Sequence, residues 1–162
     1  MLGPSEEETA PFTPRASPIA RAGERPSLRA DVWMGGALTP VGKAILPEML
    51  RSAWVVDCAG DLPVAYREAA AAWLPCVFPD LEGHPVRFER LQEVVSQAAA
   101  AVRSGELTGL YVFCQQGLNR SGLLTGLLLG ELGFTGEEAL ARILNARPGA
   151  FSNQAFRRLV AG

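Results

Sequence analysis

The residues best suited to chemistry lie between Cys114 and Ser121, where the sequence reads CQQGLNRS. Cys114 and Arg120 bracket five residues of this stretch. A short apolar run at residues 110–113 predicts a strand before it, and the Leu- and Gly-rich residues 123–132 predict a helix after it. In a strand-loop-helix turn, loop N–H groups and the positive end of the helix dipole converge on one point. The loop is therefore predicted to bind an anion, and a phosphate dianion fits.

Each residue type in this loop suits a reaction on such an anion. The amides that bind an anion also stabilise a thiolate, so Cys114 is predicted to be a nucleophile. Gly117 allows a positive φ and leaves no side chain over the anion. Arg120 can offer its planar fork to two phosphate oxygens, and Ser121 can donate to the sulfur when it departs. The remaining loop residues are expected to bind through backbone N–H groups: Gln115, Gln116, Leu118 and Asn119.

The signature Cys-x5-Arg-Ser resembles that of the cysteine-dependent protein phosphatases, and in particular of the small dual-specificity type. Gly117 stands where the family has its glycine, and the tail of residues 147–156 resembles the Arg-Pro, Ser-Asn, Phe pattern that closes many members. The resemblance covers about residues 30–162. The family usually has His before the cysteine, where it helps to order the loop and tune the thiol, whereas this chain has Phe113.

A phosphatase of this kind needs an acid, because an alkoxide or phenoxide leaves poorly without a proton. The family places an Asp on a loop some thirty residues before the cysteine, and Asp80 lies in the Pro- and Gly-punctuated residues 78–85. Asp80 is therefore predicted to be the acid of the first step and the base of the second, with Glu82 and Asp61 as rivals. His84 is the only histidine. A Cys114/His84 thiol-hydrolase dyad would leave Arg120 and the spacing unexplained.

The composition is typical of one globular domain with a sizeable core. The 162 residues are 48% hydrophobic and 20% charged, with a net charge of −2. This charge gives no footprint for duplex nucleic acid, and the sequence has neither an apolar run of membrane-spanning length nor a signal-peptide pattern. We therefore expect a monomeric, cytoplasmic protein that binds neither membranes nor duplex nucleic acid.

Three cysteines argue against a secreted disulfide framework. Cys58 and Cys76 are predicted to be buried core residues, and a role for either in trapping oxidised Cys114 stays open. No Cys or His spacing indicates a metal site, and the reaction needs no cofactor.

Residues 1–30 differ in composition from the rest of the chain. They carry five prolines and the acidic run Glu6-Glu7-Glu8, so too little apolar surface is available for burial. We expect a flexible, Pro-rich arm over residues 1–30 and a catalytic domain over residues 31–162.

Strand and helix patterns alternate beyond the arm. Strands are predicted at residues 32–38, 53–58 and 74–77 and in the run that ends at Cys114. Helices are predicted at residues 39–51, 64–72, 86–103 and 123–132, from the capping box that Thr135 and Glu138 form, and from Ser152 or Asn153. This order favours an α/β fold with a central, mostly parallel sheet covered by helices on both faces. Cys114 then lies at the carboxyl end of a strand, where such folds place their sites.

The resemblance implies a hydrolase that removes phosphate from phosphotyrosine and/or phosphoserine and phosphothreonine of proteins through a phosphocysteine intermediate. The substrate would be a phosphorylated protein or a small phosphomonoester. Two alternatives stay open. One is a phosphate-binding module with little turnover, because Phe113 replaces the usual His. The other is an RNA 5′-triphosphatase-like activity, although a basic groove is hard to build in a chain with one Lys.

Overall fold

The computed structural model of the chain describes residues 13–81 and 88–162. Within these ranges one sheet contains six strands: β1 (Arg15–Ala20), β2 (Asp31–Gly36), β3 (Lys43–Ala44), β4 (Ala53–Asp57), β5 (Ala72–Pro75) and β6 (Gly109–Cys114). The order across the sheet is β3-β1-β2-β6-β4-β5. Strands β2, β6, β4 and β5 are parallel, whereas β1 is antiparallel to β2 and β3. The sheet is mixed, with β6 inside its parallel part.

Helices cover both faces of the sheet, as predicted. The described helices are α1 (Val64–Ala69), α2 (Phe88–Ser104), α3 (Arg120–Glu131), α4 (Gly136–Ala146) and α5 (Gln154–Ala161). The sheet has an apolar core on each face. Helices α2 to α5 pack in one core, and α1 packs in the other together with a 3-10 turn at Pro47–Leu50. No helix in the described ranges combines the length and apolar character needed to span a bilayer.

Strand β6 contributes to both cores because successive side chains of a strand point to opposite faces. Leu110, Val112 and Cys114 belong to the core under α2 to α5, and Tyr111 and Phe113 belong to the core on the α1 side. All six residues of β6 are buried, as expected for a central parallel strand. The nucleophile candidate therefore starts from a rigid position in the middle of the sheet.

The helix predicted at residues 39–51 is absent, and the prediction was wrong. The segment contains β3 and the 3-10 turn instead. Pro40 and Pro47 restrict the backbone there, and Gly42 has a φ of 107°, which lies outside the helical region. A Cβ at residue 42 would also come within 2.8 Å of the carbonyl oxygen of Ala16, so the segment packs closely on β1.

The other predicted elements are present with small differences at their ends. The strand predicted at residues 53–58 is β4, and the helix predicted at 64–72 ends earlier, at Ala69. Thr135 and Glu138 form the capping box that opens α4, since the hydroxyl of Thr135 accepts from the N–H of Glu138 and the carboxylate of Glu138 accepts in return. Asn153 is the N-cap of α5.

Part of the predicted flexible N-terminal arm, Arg15–Ala20, forms strand β1 in the structure. Residues 1–12 lie outside the described residues, but β1 is paired on both edges. The chain after β1 is fixed on α4 by charged groups: Arg25 bonds to Glu138 at 2.6 Å, and Arg142 to Glu24 at 2.6 Å. The guanidinium groups of Arg25 and Arg142 also contact the ring of Phe134, at 3.8 and 4.7 Å from its centroid. These contacts are polar or of the cation–π type, so the low hydrophobicity of residues 1–30 gave no indication of them.

Candidate active site

The sulfur of Cys114 lies between a backbone N–H and a side-chain hydroxyl at the loop that joins β6 to α3. The N–H of Gly117 donates to Sγ at 3.2 Å, and Oγ of Ser121 lies 3.2 Å from Sγ. Cys114 is only 2% exposed, and Ser121, in the first turn of α3, is fully buried. Because α3 begins at Arg120, the positive end of its dipole lies at the same place. One loop N–H, one hydroxyl and the start of α3 therefore lie at the sulfur of Cys114.

The loop lies directly against the backbone of β2. The N–H groups of Ala37 and Leu38 donate to the carbonyls of Cys114 and Gln115 at 2.9 and 2.7 Å. A Cβ at Gly36 would lie 2.6 Å from the carbonyl oxygen of Gln115 and from the nitrogen of Gly117. Gly117 itself has a φ of 73°, as predicted for this position. Gly35 and Gly36 thus provide the surface on which the loop rests.

A cavity of about 230 Å³ opens above the sulfur. Its lining consists of Asp80, Cys114, Gln115, Gln116, Leu118, Asn119 and Arg120. The structure thus brings together at one cavity the predicted nucleophile, the predicted acid and the arginine. Nε of Arg120 is buried without a hydrogen-bond partner among the described residues.

Two asparagine side chains hold the carboxylate of Asp80 at this cavity. Nδ2 of Asn119 donates to Oδ2 at 3.1 Å, and Nδ2 of Asn153 donates to Oδ1 at 2.9 Å. The two asparagines are themselves connected, because Oδ1 of Asn119 accepts from the backbone N–H of Asn153 at 3.0 Å. Nδ2 of Asn119 also donates to Oγ of Ser152 at 3.0 Å. The tail of the chain therefore positions the predicted acid.

The rival acid Asp61 does not compete for this place. Asp61 is exposed and does not line the cavity. Asp57 is buried, and its carboxylate accepts from the N–H of Gly60 and from Nε1 of Trp73. Glu82 and His84 lie outside the described residues. In the described part of the chain, no group of three or more His, Cys, Asp or Glu residues is arranged to hold a metal ion.

Sequence reasoning identified neither Asn153 nor Arg147 as a site residue. Asn153 was predicted only as a helix cap, yet its amide donates to the carboxylate of Asp80. Arg147 lies beneath the loop, fully buried, and its Nε donates to the carbonyl of Gly117 at 2.6 Å. Both residues belong to the tail pattern that carried part of the family resemblance, and this pattern was the available signal.

Phe113 does not contact the face of the loop that holds the sulfur. It stacks on Tyr111 with ring centroids 6.1 Å apart, on the α1 side of the sheet. Alternation along β6 sends the side chains of neighbouring residues 113 and 114 to opposite faces. Phe113 therefore packs in the core on the α1 side and stabilises the strand that carries Cys114. Its side chain is directed away from the sulfur.

The three cysteines lie side by side at the carboxyl edge of the sheet. Asp57 of β4 is aligned with Phe113 of β6 and with Pro75 of β5, so the next residue on each strand is a cysteine. The backbone N–H of Cys58 donates to the carbonyl of Phe113 at 2.7 Å, and that of Cys76 donates to the carbonyl of Asp57 at 2.9 Å. Cys58 and Cys76 are buried, as predicted, and burial raises the pKa of both thiols.

Comparison with solved structures identifies the fold. The chain superposes on Tk-PTP in its active form with a TM-score of 0.63 and 23% identity, covering 90% of this chain and 93% of that one. Human DUSP28 matches with a TM-score of 0.64 and 18% identity over 90% of each chain. Kinase associated phosphatase, in a form whose catalytic-site cysteine is replaced by serine, matches with a TM-score of 0.66 and 13% identity over 92% of each chain. No protein-family model matches the chain. No curated protein sequence matches it either.

The fold is therefore that of the cysteine-dependent phosphatases. Within this class it is the fold of the small dual-specificity type. The resemblance seen in the signature loop and the tail is confirmed at the level of the fold.

Proposed function

We propose that this protein is a cysteine-dependent phosphatase that hydrolyses phosphomonoesters of proteins through a phosphocysteine intermediate. One observation carries the proposal: Sγ of Cys114 lies beneath a cavity, 3.2 Å from the N–H of Gly117 and from the hydroxyl of Ser121, with the carboxylate of Asp80 on the lining of the same cavity. A nucleophile, an oxyanion cradle and a proton carrier around one small space are the groups that phosphoryl transfer requires.

In the first step, the thiolate of Cys114 attacks phosphorus in line with the ester oxygen. The S–P bond forms as the P–O bond breaks, and Asp80 gives its proton to the departing oxygen. Arg120 and the loop amides hold the three equatorial oxygens. The alcohol or phenol leaves, and the phosphoryl group remains on sulfur.

In the second step, Asp80 takes a proton from a water molecule that attacks phosphorus. The S–P bond breaks, inorganic phosphate is released, and the hydroxyl of Ser121 donates to the sulfur as it becomes a thiolate again. Asp80 regains the proton that it lost in the first step, so the cycle closes without a cofactor.

The charge on the cavity lining favours a substrate that places a single phosphate group in the cavity. Arg120 is the only cationic side chain on its lining among the described residues. An RNA 5′-triphosphate or a polyphosphorylated inositol would bring several more negative charges to this place without a matching cation. We therefore favour phosphotyrosine, phosphoserine or phosphothreonine.

The test is a steady-state assay with p-nitrophenyl phosphate and with phosphotyrosine, phosphothreonine and triphosphorylated RNA. Cys114→Ser should abolish turnover, because a hydroxyl in this loop is far less ionised than a thiol. Cys76→Ala is the matched control, because it removes a sulfur that does not line the cavity. Acid quench during turnover should leave a phosphoryl group on the Cys114 peptide. An unchanged rate in Cys114→Ser would overturn the proposal.

A phosphate-binding module with little turnover is the second candidate, and it is favoured by Phe113 standing where the family usually has His. That protein would bind tungstate or phosphotyrosine and yet hydrolyse none of the panel. A monomeric state and a cytoplasmic location stay predictions, to be tested by sedimentation and by cell fractionation.

A further inference from the structure

Arg147 follows the last residue of α4 and is fully buried beneath the 114–120 loop. A guanidinium has five N–H groups, and here they make five hydrogen bonds. The acceptors are the carbonyls of Gly117 (2.6 Å), Gln116 (3.3 Å) and Val41 (3.1 Å) and the hydroxyls of Ser17 (3.0 Å) and Thr39 (3.3 Å). Arg147 therefore connects β1, the segment after β2, and the loop.

Two of these acceptors determine where the loop amides point. The C=O and N–H of a trans peptide point in opposite directions, and no described peptide bond is cis. Because the carbonyl of Gln116 faces Arg147, the N–H of Gly117 faces away from it, towards Sγ of Cys114 at 3.2 Å. In the same way, the carbonyl of Gly117 on Arg147 directs the N–H of Leu118 to the cavity side. Rotation of either peptide unit would break a bond to the guanidinium.

The charge of Arg147 has no carboxylate partner. Among the described residues, none of the salt bridges involves it, and its five acceptors are neutral oxygens. Burial lowers the pKa of this guanidinium, and the charge of the nearby Cys114 thiolate opposes that effect. The guanidinium therefore places a positive charge, balanced by no carboxylate, beneath the loop that carries Cys114.

We infer that Arg147 is a positioning residue for the nucleophile and the anion cradle. It aims two loop amides at the sulfur and the bound phosphate, and it supplies a second positive charge below the loop while Arg120 acts at the cavity. The inference rests on the proposed function only in taking Cys114 as the nucleophile. Thiol reactivity and anion binding can both be measured without turnover, so the two proposals can fail separately.

The experiment compares Arg147→Met, Arg147→Lys and the parent protein. The first readout is the rate of iodoacetamide alkylation of Cys114 against pH, followed by mass spectrometry of the Cys114 peptide. The second is tungstate affinity by calorimetry. Arg147→Met should move the alkylation midpoint up by about one pH unit or more and weaken tungstate binding at least about tenfold. Arg147→Lys keeps the charge but cannot bond both carbonyls in the same way. Its midpoint should move less, while its tungstate affinity falls about fivefold or more.

Arg142→Met is the matched control. Arg142 is a partly buried arginine on α4, and it bonds to the carbonyl of Ile19 and to Glu24 away from the loop. Its loss should lower the melting temperature without changing alkylation or tungstate binding. If Arg147→Met folds and keeps the parent's midpoint and tungstate affinity, Arg147 is structural only and the inference is overturned. If Arg147→Met does not fold, Arg147→Lys decides, and parent-like tungstate affinity in that variant overturns the inference.

Discussion

The side chain of Asn153 donates through Nδ2 to Oδ1 of Asp80 at 2.9 Å, while its own Oδ1 accepts from the N–H of Phe156 at 3.1 Å. The same amide thus caps the last helix and holds the predicted acid. Serine is also a good N-cap, so Asn153→Ser should keep the helix but release the carboxylate, whereas Asn153→Ala should also cost about 1 kcal/mol of stability.

We expect kcat of Asn153→Ser to fall about tenfold with phenyl phosphate and to change little with p-nitrophenyl phosphate. The reason is that only the poorer leaving group needs a well-placed proton. Urea unfolding separates the two variants. An equal loss with both substrates would mean that Asn153 acts through the fold alone.

Asp80→Asn should remove the proton carrier while the amide keeps a side chain of the same shape. The loss in kcat should be about 10² to 10⁴ for phenyl phosphate and should shrink as the leaving group becomes more acidic. Asp61→Asn is the control, because Asp61 is exposed and does not line the cavity. A loss that does not depend on the leaving group would assign the acid to another residue, with Glu82→Gln the next variant to measure.

Gly36→Ala should damage the cradle without unfolding the sheet. The added Cβ would meet the carbonyl oxygen of Gln115 and the nitrogen of Gly117 at 2.6 Å, so the loop must move. A displacement of this size should lower kcat/KM about 100-fold and weaken tungstate binding. Gly130→Ala places a methyl where nothing lies within 4 Å, and it should leave activity unchanged. Parent-like tungstate affinity in Gly36→Ala would show that the loop does not depend on this close contact.

Hydrogen peroxide should join Cys58 to Cys114. Neighbouring strands lie about 4.8 Å apart, within the Cα range of disulfides, and these residues occupy neighbouring places on β4 and β6. Peroxide would oxidise the Cys114 thiolate to a sulfenic acid with loss of water, and the Cys58 thiol would then displace a second water to form the disulfide. Mass spectrometry of non-reduced peptides gives the pairing. Cys58→Ala should instead accumulate sulfinic acid on Cys114. A Cys76–Cys114 disulfide in that variant, without sulfinic acid on Cys114, would exclude Cys58 as the partner of Cys114.

Stability should fall in alkali. Burial raises the pKa of Cys58 well above the usual 9.0 and also raises that of Tyr66 above 10.0. Above these usual values the unfolded chain loses protons that the folded chain keeps, so the stabilisation is complete below pH 9 and is lost as the pH rises. Each such group contributes a slope of about 1.4 kcal/mol per pH unit until its folded pKa is reached. Urea titrations between pH 8 and 10.5 should show a gentler decline for Cys58→Ala, and parallel curves would contradict this.

The local patterns predicted the 114–121 loop and most of the sheet because they depend on neighbours in the sequence. Cys114, Gly117, Arg120 and Ser121 are close along the chain, and β6 is a continuous apolar run. The role of Arg147 could not be predicted in this way, because its acceptors on β1 and in the loop are distant in sequence and meet only in the folded chain. The helix predicted at residues 39–51 was wrong for a different reason. Its scattered apolar residues were given more weight than Pro40 and Pro47.

Strand β1 pairs with one edge of β2, so the folded domain begins before residue 31. A protein cut at residue 31, as composition alone suggests, would expose the hydrogen-bonding groups of β2 to solvent. Uncovered strands of this kind pair with other molecules and aggregate. The cut would also remove Ser17, an acceptor of Arg147, so we expect the shortened protein to aggregate although every residue of its signature loop is intact.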